Sequence, residues 1–162
     1  MGKEHTKDLL KFLKPFNPEQ IKTALWLRTF VWDLYPNCNE LIYDNYNAVA
    51  FGWGESDRLQ DVFCSVAVYG KGVNLGFNRG SEIPDVKKLL LGNGNQFRFI
   101  RANDEKDFPK AYVKKLLKYA HTNAKVRMKE RGGKHVLKGE TIVKSISPKK
   151  RRPKRLSVGR QQ

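Results

Sequence analysis

The residues of this chain that could do chemistry fall into three groups, and the first of them is acidic. Glu55, Asp57 and Asp61 lie in one loop and at the start of the strand that follows it. Hard cations prefer several carboxylate oxygens close together, so these three residues are candidate metal ligands. Their spacing is not that of an EF-hand, and a solvated polar loop would give the same pattern. Both interpretations stay open.

The second group is a short loop that contains Arg79, Gly80 and Ser81. It follows an apolar strand and precedes residues 85–91, which the pattern predicts to form a short helix. An arginine, a hydroxyl group and the N–H groups of a glycine-containing loop could hold an anion near the start of that helix. A structured turn in which Gly80 supplies a positive φ would explain the same residues.

The third group is a basic stretch at the C-terminal end. Residues 125–162 contain 14 Lys and Arg and 2 acids, so they carry +12 of the net charge of +16. The candidate polyanion-binding residues are Lys149, Lys150, Arg151, Arg152, Lys154 and Arg155. Such a stretch binds nucleic-acid phosphates by releasing counterions. No aromatic residue follows Tyr119, so base stacking by the tail is not predicted. A solvated tail that only raises solubility has the same composition.

The histidines and cysteines do not form a recognisable motif. His5, His121 and His135 lie far apart without the spacing of metal ligands. Cys64 lies in an apolar strand and is predicted to be a core residue, whereas Cys38 lies in a turn without a nearby base. The chain has no secretory signal and no apolar stretch of the roughly 18 residues that a membrane span needs. These features predict a non-enzymatic, reduced, cytoplasmic protein without a cofactor or a membrane partner.

The hydrophobic pattern predicts an α+β fold. A helix from about residue 18 to 35 begins with a capping box of Asn17 and Gln20, with Pro18 at its first position. Strand-like segments and hairpin turns follow, and a long helix begins near residue 108. Helices at both ends of a run of strands favour a mostly antiparallel sheet of about five strands with helices packed on it. The predicted domain spans residues 1–131, with a core at about 17–120, and residues 132–162 are predicted to be a disordered basic tail.

Residues 61–101 resemble the YdhG-like domain of unknown function, a small bacterial family. The matching pieces, in order, are a strand ending at Tyr69, Val73-Asn74-Leu75-Gly76-Phe77, Arg79-Gly80, Pro84-Asp85, Leu89-Leu90, Gly92, Gly94 and a strand with Arg98. The resemblance covers roughly residues 17–120 and implies an α+β fold. Some members are discussed as frataxin-like iron chaperones, so iron is the metal that the resemblance implies. Frataxin-like iron binding relies on acidic surfaces, and this chain departs from them by its charge of +16.

Two functional hypotheses follow from the sequence. In the first, the basic tail contacts nucleic acid or another polyanion, and deleting residues 140–162 abolishes that binding while stability stays nearly unchanged. In the second, the folded body binds a metal, with iron as the first choice, or a small ligand. An exposed sheet edge would also allow a homodimer.

Overall fold

A computed structural model describes residues 6–153, and the fold is α+β. The described residues form three α-helices, which are α1 (Thr6–Leu13), α2 (Pro18–Leu34) and α3 (Lys110–Glu130). They also form six strands, which are β1 (Asn39–Asp44), β2 (Ala48–Gly54), β3 (Val62–Tyr69), β4 (Gly72–Phe77), β5 (Arg98–Ala102) and β6 (Thr141–Ile146). Short 3₁₀ turns lie at Leu59–Asp61 and Gly80–Glu82. The predicted fold class is confirmed.

The strands form one mixed sheet in the order β5-β4-β3-β2-β1-β6. The strands from β1 to β5 pair antiparallel with their neighbours, and β6 pairs parallel with β1. The prediction of about five mostly antiparallel strands therefore missed β6 and its parallel pairing. This strand begins with the β-branched residues Thr141, Ile142 and Val143, which suit a half-buried sheet position. It covers the backbone groups on the outer side of β1, so the outer strands of the described sheet are β5 and β6. The homodimer stays a prediction.

Residues 132–153 are ordered against the body, which corrects their assignment to a disordered tail. The side-chain amide of Asn39 donates to the carbonyl of Val136 at 2.6 Å and its oxygen accepts from the N–H of Lys138 at 2.9 Å. Beyond β6, the N–H of Ser147 donates to the carbonyl of Asp44 at 2.8 Å. The high positive charge of these residues predicted disorder. Composition does not show that two of the cations, Lys150 and Arg152, form ion pairs with the buried carboxylate of Asp44. Residues 154–162 of the predicted tail lie outside the described residues.

The helices α2 and α3 pack on the same face of the sheet, against β3. Gln20 N–H donates to the Asn17 side chain at 2.9 Å, so the predicted capping box is confirmed. The chain leaves α2 at Tyr35, whose ring contacts Phe63 of β3 and His121 of α3 at centroid distances of 5.1 and 4.7 Å. This aromatic contact fixes the positions of both helices relative to the strand.

Residues 85–91 do not form the predicted helix. They wrap around the Asp85 carboxylate, which accepts hydrogen bonds from the N–H groups of Leu89 at 3.0 Å and Leu90 at 2.8 Å and from the hydroxyl of Tyr112. Burial raises the pKa of Asp85, but these hydrogen bonds outweigh it and the pKa lies below its ordinary value. The carboxylate therefore organises a loop where the hydrophobic pattern alone suggested a helix.

Candidate metal centre

A buried thiol and a buried carboxylate lie side by side at the open end of the β1–β2 hairpin. Cys38 directly precedes β1 and Glu55 directly follows β2, and the register pairs their neighbours Asn39 and Gly54. Cys38 is 3% and Glu55 is 5% exposed. Cys38 Sγ lies 3.9 Å from Glu55 Oε1. The antiparallel register alone therefore brings a soft and a hard metal ligand together.

The helix α3 adds an imidazole to this pair. His121 lies at the edge of the apolar stripe of α3, and its Nε2 contacts Glu55 Oε1. Its ring packs against Tyr35 and Phe63 at centroid distances of 4.7 and 4.9 Å. Two aromatic neighbours thus hold the ring in place, while its nitrogen faces the carboxylate.

A second imidazole comes from the segment after α3. The chain reverses at Gly132, whose φ of 71° lies in the left-handed region that glycine adopts without strain. His135 Nδ1 then lies 3.2 Å from Glu55 Oε2. The N–H of Val136 donates to the backbone carbonyl of Glu55 at 2.8 Å and holds the segment there. The His135 side chain is 49% exposed, so it forms the open side of the cluster.

The separations within this group suit a metal ion. One potential ligand atom from each of Cys38, Glu55 and His121 lies within 4.8 Å of the other two. Around a tetrahedral Zn²⁺ with bonds of about 2.0–2.3 Å, neighbouring ligand atoms are about 3.3–3.8 Å apart. The separation of 3.9 Å between Cys38 Sγ and Glu55 Oε1 is close to this spacing, and His135 Nδ1 lies 3.2 Å from the second carboxylate oxygen, Oε2. We call Cys38, Glu55, His121 and His135 the metal centre below.

The same geometry does not match an activated cysteine nucleophile. Burial, followed by the nearby Glu55 carboxylate, raises the pKa of the Cys38 thiol to about 12, so the thiol is protonated at neutral pH. Its hydrogen-bond partner is Glu55, whereas a Cys–His pair needs the imidazole to accept the thiol proton. Metal coordination acts differently, because a coordinating thiol loses its proton to the ion's field.

Of the three acids predicted as metal ligands, Glu55 alone belongs to the metal centre. Asp57 is exposed in the loop. Asp61 accepts a hydrogen bond from the Ser56 hydroxyl at 2.5 Å and pairs with the guanidinium of Arg131. The carboxylate of Asp61 is thus occupied by partners within the protein.

Sequence reasoning missed the other three ligands because they are distant along the chain. Cys38, His121 and His135 are separated from Glu55 by 17, 66 and 80 positions. The positions of Cys38 before one strand and Glu55 after the next could have revealed that pair, since hairpin register places such residues opposite each other. The histidines required the tertiary packing of α3 and the segment that follows it.

In the predicted anion loop, both polar groups of Ser81 already donate hydrogen bonds within the protein. The N–H and hydroxyl of Ser81 donate to the carbonyls of Gln96 at 2.9 Å and Asn95 at 3.2 Å. Gly80 packs so tightly that a Cβ there would lie 2.6 Å from the Cβ of Arg98. Arg79 is the member of this loop whose side chain lines a surface pocket. The anion-binding role of the loop stays a prediction, and Arg79 is the residue of the loop that reaches a cavity.

Two of the predicted polyanion-binding residues pair with a carboxylate of the body. Lys150 and Arg152 both contact Asp44, which is 1% exposed, and the Arg152 contact measures 2.6 Å. Arg152 also donates to the carbonyls of Asn45 and Tyr46 at 2.8 Å each. These two cations therefore neutralise a buried charge at the β1–β2 turn.

The other predicted polyanion-binding residues differ in position. Lys149 and Arg151 are exposed, and neither forms an ion pair with another described residue. Lys154 and Arg155 lie outside the described residues. Of the candidate residues that the structure describes, Lys149 and Arg151 are therefore the two whose charges face solvent without an acidic partner.

No family model, curated protein or solved structure matches this chain. Within residues 6–153, no helix is both long and apolar enough to cross a membrane. The resemblance to the YdhG-like domain stays a prediction.

Proposed function

We propose that this protein binds a transition-metal ion, with Zn²⁺ as the best match, at the metal centre. The observation that carries the proposal is the convergence of one thiol, one carboxylate and one imidazole within 4.8 Å of one another, with a second imidazole, His135, 3.2 Å from the other oxygen of the same carboxylate. Such a mixture of sulfur, nitrogen and oxygen ligands is typical of Zn²⁺. A YdhG-like α+β domain remains our proposal for the family.

The donor set separates Zn²⁺ from the other candidate ions. Mg²⁺ and Ca²⁺ take oxygen ligands, and this centre offers a single carboxylate. Iron, which the resemblance implies, accepts imidazole and carboxylate, but a thiolate ligand favours Zn²⁺ or Cu(I). A thiolate and a carboxylate together also balance the two charges of a divalent ion.

Metal binding would remove the proton of the Cys38 thiol and would link four segments of the chain. The ion replaces the proton on Cys38 Sγ, and that proton is released to solvent. The ion then connects the start of β1, the end of β2, α3 and the segment after it. Three ligands are buried or nearly so and His135 is exposed, so His135 is the ligand that a small molecule could replace.

The test is a titration of the metal-free protein with Zn²⁺ in the presence of a competing chelator. We expect one ion per chain and the release of about one proton at neutral pH, where the thiol is protonated. Cys38→Ser should weaken binding about 100-fold, because binding free energies of about 10–16 kcal/mol are shared among four ligands. Cys64→Ala, at the buried cysteine of β3, is the matched control and should leave the affinity unchanged.

Absorption spectroscopy with Co²⁺ in place of Zn²⁺ shows whether the Cys38 sulfur coordinates the ion. A sulfur-to-metal charge-transfer band should appear with the wild type and with Cys64→Ala, and it should be missing with Cys38→Ser. Binding that Cys38→Ser and Glu55→Gln leave unchanged would overturn the proposal. Tighter binding of Fe²⁺ than of Zn²⁺ would instead favour the iron version.

A second candidate function, polyanion contact by the C-terminal segment, is favoured by one observation. Lys71, Arg151 and Arg152 line a surface pocket of about 490 Å³ beside the Tyr69 ring. Exposed Lys149 is close to these residues in the chain. Phosphate contacts by the exposed residues Lys71, Lys149 and Arg151 would give a slope of log K against log salt of about −3 on duplex DNA.

Paired substitution of the two exposed cations tests this second function. Lys149→Gln with Arg151→Gln should reduce the salt slope by about 2 units, since each phosphate contact contributes about 0.9. Lys114→Gln with Lys118→Gln, at exposed positions on α3, removes the same charge elsewhere and is the control. Equal losses of DNA or RNA affinity in the two double variants would refute a specific role for the segment.

A further inference from the structure

Three arginines converge on a surface pocket that shares no residue with the metal centre. Arg79 follows β4, Arg127 lies in the last turn of α3, and Arg131 comes directly after that helix. The pocket has a volume of about 440 Å³, and the side chains of Gln96 and Phe97 also line it. Two segments far apart in the sequence thus place guanidinium groups around one cavity.

The positive charge of this pocket is only partly compensated. Glu82 serves two arginines at once, with separations of 3.6 Å to Arg79 and 3.9 Å to Arg127, and its side chain is 48% exposed. The Asp61 carboxylate that pairs with Arg131 is shared with a serine hydroxyl. Burial, followed by repulsion from Arg79, lowers the pKa of Arg127. An anion in the pocket would relieve this repulsion.

The backbone at Arg79 is held in a costly conformation. Its φ of 59° lies in the left-handed region, which is unfavourable for a residue with a Cβ. The contact of Gly80 with Arg98 and the hydrogen bond from Ser81 N–H to Gln96 hold this conformation. The surrounding contacts therefore fix the place from which the arginine side chain reaches the pocket.

We propose that the pocket binds the phosphate group of a small phosphate monoester, with the organic part of the ligand against Phe97. Guanidinium groups offer paired donors that match phosphate oxygens. The Phe97 ring is 45% exposed and provides an apolar wall beside the charged end. The volume lies within the range of small-molecule sites. Three arginines around one cavity offer as many paired donors as the oxygens of a single phosphate group can accept.

The experiment is calorimetry of the full chain with adenosine 5′-monophosphate, inorganic phosphate and adenosine at about 0.05 and 0.15 M salt. We expect binding of the monophosphate, weaker binding of phosphate and no binding of adenosine. Arg127→Gln should weaken monophosphate binding about tenfold, because it removes a charge-assisted hydrogen bond. Arg101→Gln, at an exposed position on β5 outside the pocket, should leave it unchanged.

Two further variants give results that a structural role of Arg127 would not produce. Glu82→Gln should strengthen phosphate binding several-fold, since it removes the carboxylate that competes for Arg79 and Arg127. Phe97→Ala should weaken binding of the monophosphate but not of inorganic phosphate.

Several outcomes would overturn the assignment. One is the absence of binding by the wild type, and another is unchanged affinity in both Arg127→Gln and Glu82→Gln. A third is oligonucleotide binding that Arg127→Gln weakens without any binding of the monophosphate. If Arg127→Gln does not fold, the opposite effects of Glu82→Gln and Phe97→Ala decide the question.

Discussion

A chain that ends at residue 139 should lose at least about 3–5 kcal/mol of unfolding free energy, or fail to fold, compared with a chain that ends at 153. The shorter chain lacks β6 and both cations that contact Asp44, which is 1% exposed. Its buried carboxylate would then have no positive partner, and that is far more costly than losing an exposed ion pair. This expectation replaces the sequence-based one, in which removing residues 140–162 left stability nearly unchanged.

The two truncated chains are matched because the longer one keeps Lys150, Arg152 and all of β6. Urea unfolding followed by circular dichroism measures the difference. Arg152→Ala should reproduce much of the loss, while Arg151→Ala at the exposed neighbouring position should change stability by less than about 0.5 kcal/mol. Equal midpoints for the two truncated chains would show that the segment contributes nothing to the fold.

Arg28→Ala should lower the unfolding free energy by about 3–5 kcal/mol, because it leaves the fully buried Glu40 without its cation. Arg28 Nε donates to Glu40 Oε2 at 2.7 Å and Arg28 Nη2 donates to Oε1 at 2.8 Å, which is a two-point contact. The Thr141 hydroxyl donates to Oε1 at 2.6 Å. A hydroxyl alone stabilises a buried carboxylate much less than a paired guanidinium does.

The control and a rescue variant separate charge from packing. Lys22→Ala removes an exposed cation from the same helix and should have little effect. Arg28→Met with Glu40→Leu removes both charges and keeps apolar volume, so it should recover most of the loss. A loss below about 1 kcal/mol in Arg28→Ala would mean that water replaces the arginine at this carboxylate.

Sequence reasoning succeeded where neighbouring residues determine the structure. Asn17, Pro18 and Gln20 predict the start of α2 because their hydrogen bonds span three positions. Gly70 and Gly72 likewise predict the turn between β3 and β4. β6 was missed because its four β-branched residues stand in a basic stretch whose average composition suggested disorder, and because the strand pairs only with β1.

The candidate sites were harder to predict because they depend on distant partners. Glu55 was identified as an acid in a loop, but its surroundings are set by a thiol across a hairpin and by two imidazoles far along the chain. Arg79 was identified beside a helix that does not form, and its actual neighbours are the arginines at the end of α3. Residue type was informative in both cases, whereas the partners required the tertiary structure.

The last part of the described chain supplies a partner to each of four buried acids of the body. The pairs are Arg131 with Asp61, His135 with Glu55, Thr141 with Glu40, and Lys150 and Arg152 with Asp44. During synthesis on the ribosome, the residues before 131 emerge first. Their acids stay without these partners until residues 131–152 leave the exit tunnel. A product that terminates before residue 131 would lack all of these partners, and it would expose Asp44, Asp61 and the open edge of β1 to the quality-control proteases of the cell.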